Sequence, residues 1–139
     1  MKRLILLVLL AAVAVPLCAA TFLPVRAGST GVCVGFDGTV AFSACGLILP
    51  SASPVNGGFR AVSNVSGQGT VYPLMIRARV AMFSFEGGIG YDWPSESFAT
   101  YIMPSFSLSF GVIGVMAGIP LAWSGRGFSA SFEISLTLR

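Results

Sequence analysis

The sequence predicts an all-β fold, specifically an antiparallel up-and-down transmembrane β-barrel of about eight strands behind an amino-terminal signal peptide. Three features predict this class. The chain begins with a basic and then apolar segment, turn residues divide the rest into extended runs, and apolar and polar residues alternate within those runs. The predicted organisation is therefore a signal peptide at residues 1–20 and one β-barrel domain at residues 21–139.

The amino terminus has the pattern of a secretory signal. Lys2 and Arg3 precede an apolar stretch that ends at Pro16, and small residues at positions 18 and 20 fit cleavage after Ala20. A membrane anchor is the alternative, but the apolar stretch is shorter than the roughly 20 residues that span a bilayer as a helix. A lipoprotein acylated at Cys18 is a second alternative, which the bulky Leu17 disfavours.

Composition restricts the classes of function. Cleavage would remove Lys2 and Arg3 from the 8 basic residues of the chain and leave all 5 acidic ones, so the basic pI is no argument for nucleic-acid binding. Few charges in a small domain leave little polar cover for a water-exposed surface. The chain has no histidine, which removes the common base and metal ligand. We therefore predict no enzyme activity, no cofactor and no metal site.

Turn signals divide the domain into eight extended runs. Asp37-Gly38 is a strong hairpin signal, and glycine, proline, serine and asparagine clusters separate the later runs, with the junction near 81–84 the least distinct. If the fourth and fifth runs were one strand and another boundary were also wrong, the barrel would have six strands. The predicted runs are Gly31–Phe36, Val40–Leu49, Phe59–Val65, Thr70–Val80, Phe83–Trp93, Phe98–Phe110, Val112–Trp123 and Phe128–Leu138.

The alternation within the runs predicts which side chains face lipid. In the last run, aromatic and aliphatic residues occupy one face, and Ser, Thr and Glu133 occupy the other. A lipid-facing arginine near the midplane would cost about 2–4 kcal/mol, so charges should point into the lumen and pair there. A salt-bridged plug is favoured over an ion path. The predicted lumen network comprises Arg60, Arg77, Arg79, Glu86, Asp92 and Glu133.

Aromatic residues indicate how the strands are oriented. With both termini on the periplasmic side, six aromatics fall near the external ends of their strands, where amphipathic rings favour the membrane interface. The predicted interface aromatics are Tyr72, Tyr91, Trp93, Tyr101, Trp123 and Phe128.

The first hairpin contains the two cysteines that remain after signal cleavage, Cys33 and Cys45. A two-residue loop would put them on opposite faces. A three-residue loop, with Phe36 opposite Val40, puts the apolar residues of both strands on the lipid face and both cysteines inward. We prefer the second register. It leaves open both a disulfide and two free thiols.

With its signal at 1–20, the dyad runs Phe98–Phe110 and Phe128–Leu138, and Tyr or Trp at loop ends, the chain resembles the small eight-stranded outer-membrane barrel proteins of diderm bacteria. The resemblance implies outer-membrane location, membrane lipids as partners, and the barrel assembly machinery during biogenesis. The leading hypothesis is a structural or surface-interaction protein with a filled lumen. The alternatives are a narrow pore or carrier for a small or apolar solute, and a secreted soluble β-sandwich that oligomerises.

Overall fold

The structure, a computed structural model, describes residues 26–50 and 53–138. The predicted signal peptide and the Cys18 alternative lie outside these residues. The described residues form nine antiparallel β-strands. Their bounds are β1 Ala27–Gly35, β2 Val40–Leu47, β3 Val55–Asn64, β4 Gly69–Val80, β5 Phe83–Asp92, β6 Ser97–Phe110, β7 Ile113–Gly118, β8 Leu121–Ser124 and β9 Gly127–Leu138.

The strands close into a barrel with eight strand positions around the ring. β1 to β6 pair in sequence order, β7 and β8 each pair with β6 and with β9, and β1 pairs with β9 to complete the ring. β7 and β8 together occupy one of these positions. Both pair with β6 and β9 in a continuous register, and only Ile119 and Pro120 separate them. Proline has no N–H to donate to the ladder, which explains the break. The predicted eight-stranded antiparallel barrel is confirmed, and the β-sandwich alternative is wrong because the sheet closes on itself.

Most predicted runs coincide with strands, but two strands begin four residues earlier than predicted: β1, which begins at Ala27 rather than Gly31, and β3. β3 begins at Val55, inside the stretch predicted as a loop up to Gly58. The side chain of Asn56 accepts a hydrogen bond from the Leu49 N–H at 3.0 Å and donates to the Leu49 carbonyl at 2.9 Å. These bonds hold the start of β3 against the residues that follow β2. The uncertain junction is a two-residue turn in which Ala81 has a φ of 54°.

The first hairpin has neither of the two registers considered from the sequence. Val34 pairs with Val40, so the preferred register is shifted by two residues. Asp37 accepts hydrogen bonds from the Thr39 N–H at 3.0 Å and the Thr39 hydroxyl at 2.6 Å, and Gly38 supplies a φ of 83°. This turn makes the loop four residues long, from 36 to 39. A shift of two residues preserves the faces, so both cysteines still point inward.

The two ends of the barrel differ in what they carry. At the terminal end lie the start of β1, the end of β9, the described residues between β2 and β3 (48–50 and 53–54), and the turns at 81–82 and 111–112. At the other end, which we call the cup end, lie the turns at 36–39, 65–68, 93–96 and 125–126.

Side chains distribute by polarity across the wall of the barrel. On β9, Phe132, Ile134 and Leu136 are 43%, 52% and 56% exposed, whereas Glu133 and Ser135 are each 1% exposed. The core is therefore the lumen, and it is filled by polar side chains together with Met75, Met103 and Met116, whose flexible chains fit irregular spaces. An eight-stranded barrel encloses just enough room for such side chains.

Candidate functional site: the lumen

A four-residue ion network crosses the middle of the lumen. Arg60, on β3, donates to Glu86 at 3.2 Å and also to Glu133. Arg77, on β4, donates to the other oxygen of Glu86 from Nε at 2.7 Å. All four groups are buried, and two arginines balance two carboxylates. We call Arg60, Arg77, Glu86 and Glu133 the plug.

Neutral groups complete the hydrogen bonding of the plug carboxylates. Tyr101 donates to Glu86 at 2.6 Å, and Ser43 and Cys33 donate to the two oxygens of Glu133 at 2.9 and 3.0 Å. The guanidinium carbon of Arg60 lies 5.2 Å from the centre of the Tyr101 ring, within the range of a cation–π contact. A buried charge is tolerated only when it is paired and hydrogen-bonded, and these groups meet that condition.

The other two charges of the predicted network lie elsewhere. Asp92 is fully buried near the cup end, where Arg126 donates to both of its oxygens, at 2.9 and 2.6 Å, and Thr70 donates at 2.8 Å. Arg79 lies near the terminal end, donates from Nε to the Ala81 carbonyl at 3.0 Å, and borders a cavity of about 30 Å³.

Arg126 was not identified from the sequence, because it lies in a turn rather than on a strand. A signal was nevertheless present. Asp92 ends an inward face next to the turn at 93–96, and the turn that contains Arg126 is at the same end of the barrel.

Four of the predicted interface aromatics lie outside the barrel near the cup end. Tyr91 and Trp93 are in contact, with ring centres 5.1 Å apart, as are Trp123 and Phe128, at 5.2 Å. All four are at least 38% exposed. They occupy the ends of β5, β8 and β9.

Tyr72 and Tyr101 were wrongly predicted as interface residues. Both are inside the barrel, 4% and 2% exposed, with ring centres 4.4 Å apart. Tyr72 precedes Pro73, and the register between β4 and β5 shifts between Val71 and Leu74. This irregularity turns Tyr72 to the same side as Arg77. Tyr101 faces inward because it lies on the same face of β6 as Ser105, four residues along the strand.

The two cysteines are free and buried. Cys33 lies opposite Ala41 and Cys45 opposite Ser29, so the cysteines are four residues apart along the barrel, roughly 13 Å at the rise of a β-strand. A disulfide needs its Cα atoms within about 7 Å. Of the two arrangements left open, the structure has the free thiols, one beside Glu133 and the other 3.7 Å from Arg77.

Between the plug and the turns of the cup end lies a cavity of about 520 Å³, which we call the cup. Arg60, Tyr72, Tyr101 and Cys33 border it on the side of the plug. On the rim, Asp37 keeps its charge readily, since its hydrogen bonds with Thr39 lower the pKa of its carboxyl. The lumen thus consists of a closed middle and an open cup.

Within the described residues, no group of three or more metal-binding side chains comes together. No helix in that part of the chain is long and apolar enough to cross a membrane. Comparison of the chain with protein-family models, with curated proteins and with solved structures gives no match.

Proposed function

We propose that this chain is an outer-membrane barrel protein, exported by a cleaved signal peptide, with a structural or surface-interaction role and a lumen that does not conduct ions. One observation carries the membrane assignment. Among the described residues, every charged side chain that belongs to a strand lies on its inner face, while the outer faces are uncharged and mainly apolar. A water-soluble barrel would have the opposite arrangement.

The dimensions of the wall support the same proposal. A ten-residue strand tilted by about 45° rises roughly 24 Å, close to the roughly 25 Å apolar band of outer-membrane barrels. Tyr91, Trp93 and Trp123 mark the edge of that band at the cup end, where rings with polar atoms prefer to lie. With both termini on the periplasmic side, the cup opens toward the outside of the cell.

The absence of conduction is inferred from the plug. Arg60 bridges Glu86 and Glu133, and Met75 and Met103 are completely buried beside it, so a hydrated ion would have to displace paired charges. Breaking a buried pair by removing one partner costs about 3–5 kcal/mol. An ion that passes through the lumen would have to break such a pair and would therefore meet an energy barrier of similar origin.

Planar-bilayer recording tests the proposal. We expect no steady conductance from the native protein. The double variant Arg60→Ser, Glu133→Ser removes one positive and one negative side chain, keeps the Arg77–Glu86 pair, and should open a measurable conductance. The variant also shows that barrels have inserted. Steady conductance of the native protein, equal to that of the double variant, would replace the proposal with the narrow-pore alternative.

A further inference from the structure

The cup has a composition that a merely structural barrel does not require. Its volume of about 520 Å³ lies within the roughly 300–1,000 Å³ of small-molecule sites. It is bounded by the plug on one side and opens between the turns of the cup end. A space that only needed filling could hold methionines, as the rest of the lumen does.

Tyr72 provides the most specific indication of a ligand. Tyr72 is 4% exposed and borders the cup, and its hydroxyl forms no hydrogen bond with the described residues. Its neighbour Tyr101, by contrast, is bonded to Glu86. Ser135 Oγ is the one side-chain atom of the described residues that is both buried and without a partner, so the Tyr72 hydroxyl is open to the cup. It is therefore available to a polar group that enters the cup.

The charges around the cup are already compensated. Arg60 is balanced within the plug, and Arg126 is bonded through two nitrogens to Asp92. Asp37 is held by Thr39 at the rim. An anionic ligand would have to break one of the arginine pairs to obtain a counter-charge, and a cationic ligand would be drawn to Asp37 at the rim, away from Tyr72. A neutral ligand beside Tyr72 leaves all of these contacts intact.

The remaining walls combine groups that both donate and accept with small apolar surfaces. Gln68, Ser129 and Ser131 supply amide and hydroxyl groups, and Ala41, Val62 and Ala122 supply apolar patches. Hydroxyl groups on a carbon ring match this mixture, since each hydroxyl can donate and accept and the ring carbons are apolar.

We propose that the cup binds a small, neutral, hydroxyl-rich molecule of the size of a monosaccharide or disaccharide, with the Tyr72 hydroxyl as its deepest hydrogen-bonding partner. The sugar could arrive free in solution or as the end group of a lipid-linked glycan, since both present the same chemistry. This inference names a ligand class for the proposed surface-interaction role, and it requires a barrel whose lumen is blocked at the plug.

Calorimetric titration of the folded protein in lipid nanodiscs tests the proposal, with glucose and maltose as free probes and a glucosyl lipid in the nanodisc as the anchored one. Binding of a free sugar assigns the ligand to solution, and binding of the lipid-linked sugar alone assigns it to the membrane surface. Either result supports the proposal that the cup binds a neutral sugar. Tyr72→Phe should weaken that binding about five- to tenfold, the effect of one lost hydrogen bond. Tyr91→Phe, outside the barrel at the same end, should leave it unchanged.

A second pair of variants serves if Tyr72→Phe folds poorly. Ala41→Phe places a ring in the cup and should abolish binding, whereas Ala44→Phe, on the outer face of the same strand, should not. Absence of binding by all three probes would overturn the proposal. So would equal affinity for glucuronate or glucosamine, or equal loss in Tyr72→Phe and Tyr91→Phe. None of these results bears on conductance, so the proposed function stands or fails separately.

Discussion

The inner and outer faces of β9 carry opposite kinds of side chain. Phe132, Ile134 and Leu136 leave roughly half of their surface uncovered, whereas Glu133 and Ser135, which alternate with them, are each 1% exposed. In a water-soluble barrel the ionised residue would be outside. The polarity of the outer wall decides which solvent can surround the barrel. The charges in the lumen are shielded from that solvent, so they must pair with one another.

The largest effect is expected inside the barrel, from Glu86→Gln. Glu86 bonds both Arg60 and Arg77, so loss of its charge leaves two buried arginines facing one remaining carboxylate. We expect the free energy of unfolding to fall by about 3–5 kcal/mol. Urea unfolding in lipid vesicles measures it. Glu96→Gln, in an exposed turn, should change it by less than about 0.5 kcal/mol, and equal effects would break the contrast between inside and outside.

On the outer face, the effect of an added charge should depend on depth. Ile134→Arg, near the middle of β9, should lower the free energy of unfolding in lipid vesicles by about 2–4 kcal/mol, because the guanidinium would face hydrocarbon. Leu138→Arg, at the end of the same strand, should lower it by about 0–1 kcal/mol. Equal values at the two positions would contradict a bilayer around the barrel.

Two serines sharpen the comparison within the lumen. Ser43 donates to Glu133 at 2.9 Å, whereas the buried hydroxyl of Ser135 has no hydrogen-bond partner among the described residues. Ser43→Ala should therefore destabilise the barrel by about 1.5–3 kcal/mol, as expected for a bond to a charged group, and Ser135→Ala should be neutral or slightly stabilising. The same unfolding assay ranks them, and the reverse order would refute the hydrogen-bond assignment.

The smallest effect distinguishes the open and closed parts of the lumen. Cys33 borders the cup and Cys45 does not, although both thiols are buried. In variants that retain a single cysteine, a water-soluble methanethiosulfonate should modify Cys33 at least about tenfold faster than Cys45, a difference of about 1.4 kcal/mol in barrier. Mass spectrometry follows the reaction. Equal rates would mean that water reaches past the plug.

The strands and their faces could be predicted because the signal is local. Period-two alternation in runs such as Phe83–Trp93 and Phe128–Leu138 is strict, and turns rich in glycine separate them. Barrel closure then follows from the need to leave no free edge. The inward position of Arg60, Arg77, Glu86 and Glu133 is also a matter of alternation, and their burial in the structure accords with it.

What could not be predicted depends on register. The turn at Asp37 shifts the first hairpin by two residues, and the irregularity at Pro73 reverses the face of Tyr72. The pairing of Asp92 with Arg126 joins residues 34 positions apart, and it follows from the neighbouring positions of the turns at 93–96 and 125–126 rather than from alternation. Tyr101 differs for another reason. Its position near a loop predicts the membrane interface, but it lies on the same inner face of β6 as Ser105.

Photolabelling with a carbene precursor dissolved in lipid tests the central claim most directly, because it reports which side chains touch hydrocarbon. With the protein reconstituted in vesicles and the adducts on β9 mapped by mass spectrometry, the account predicts labelling of Phe132, Ile134 and Leu136 and none of Glu133 or Ser135. Labelling of the Glu133 face, or a monomer that stays in solution without detergent or lipid, would contradict it.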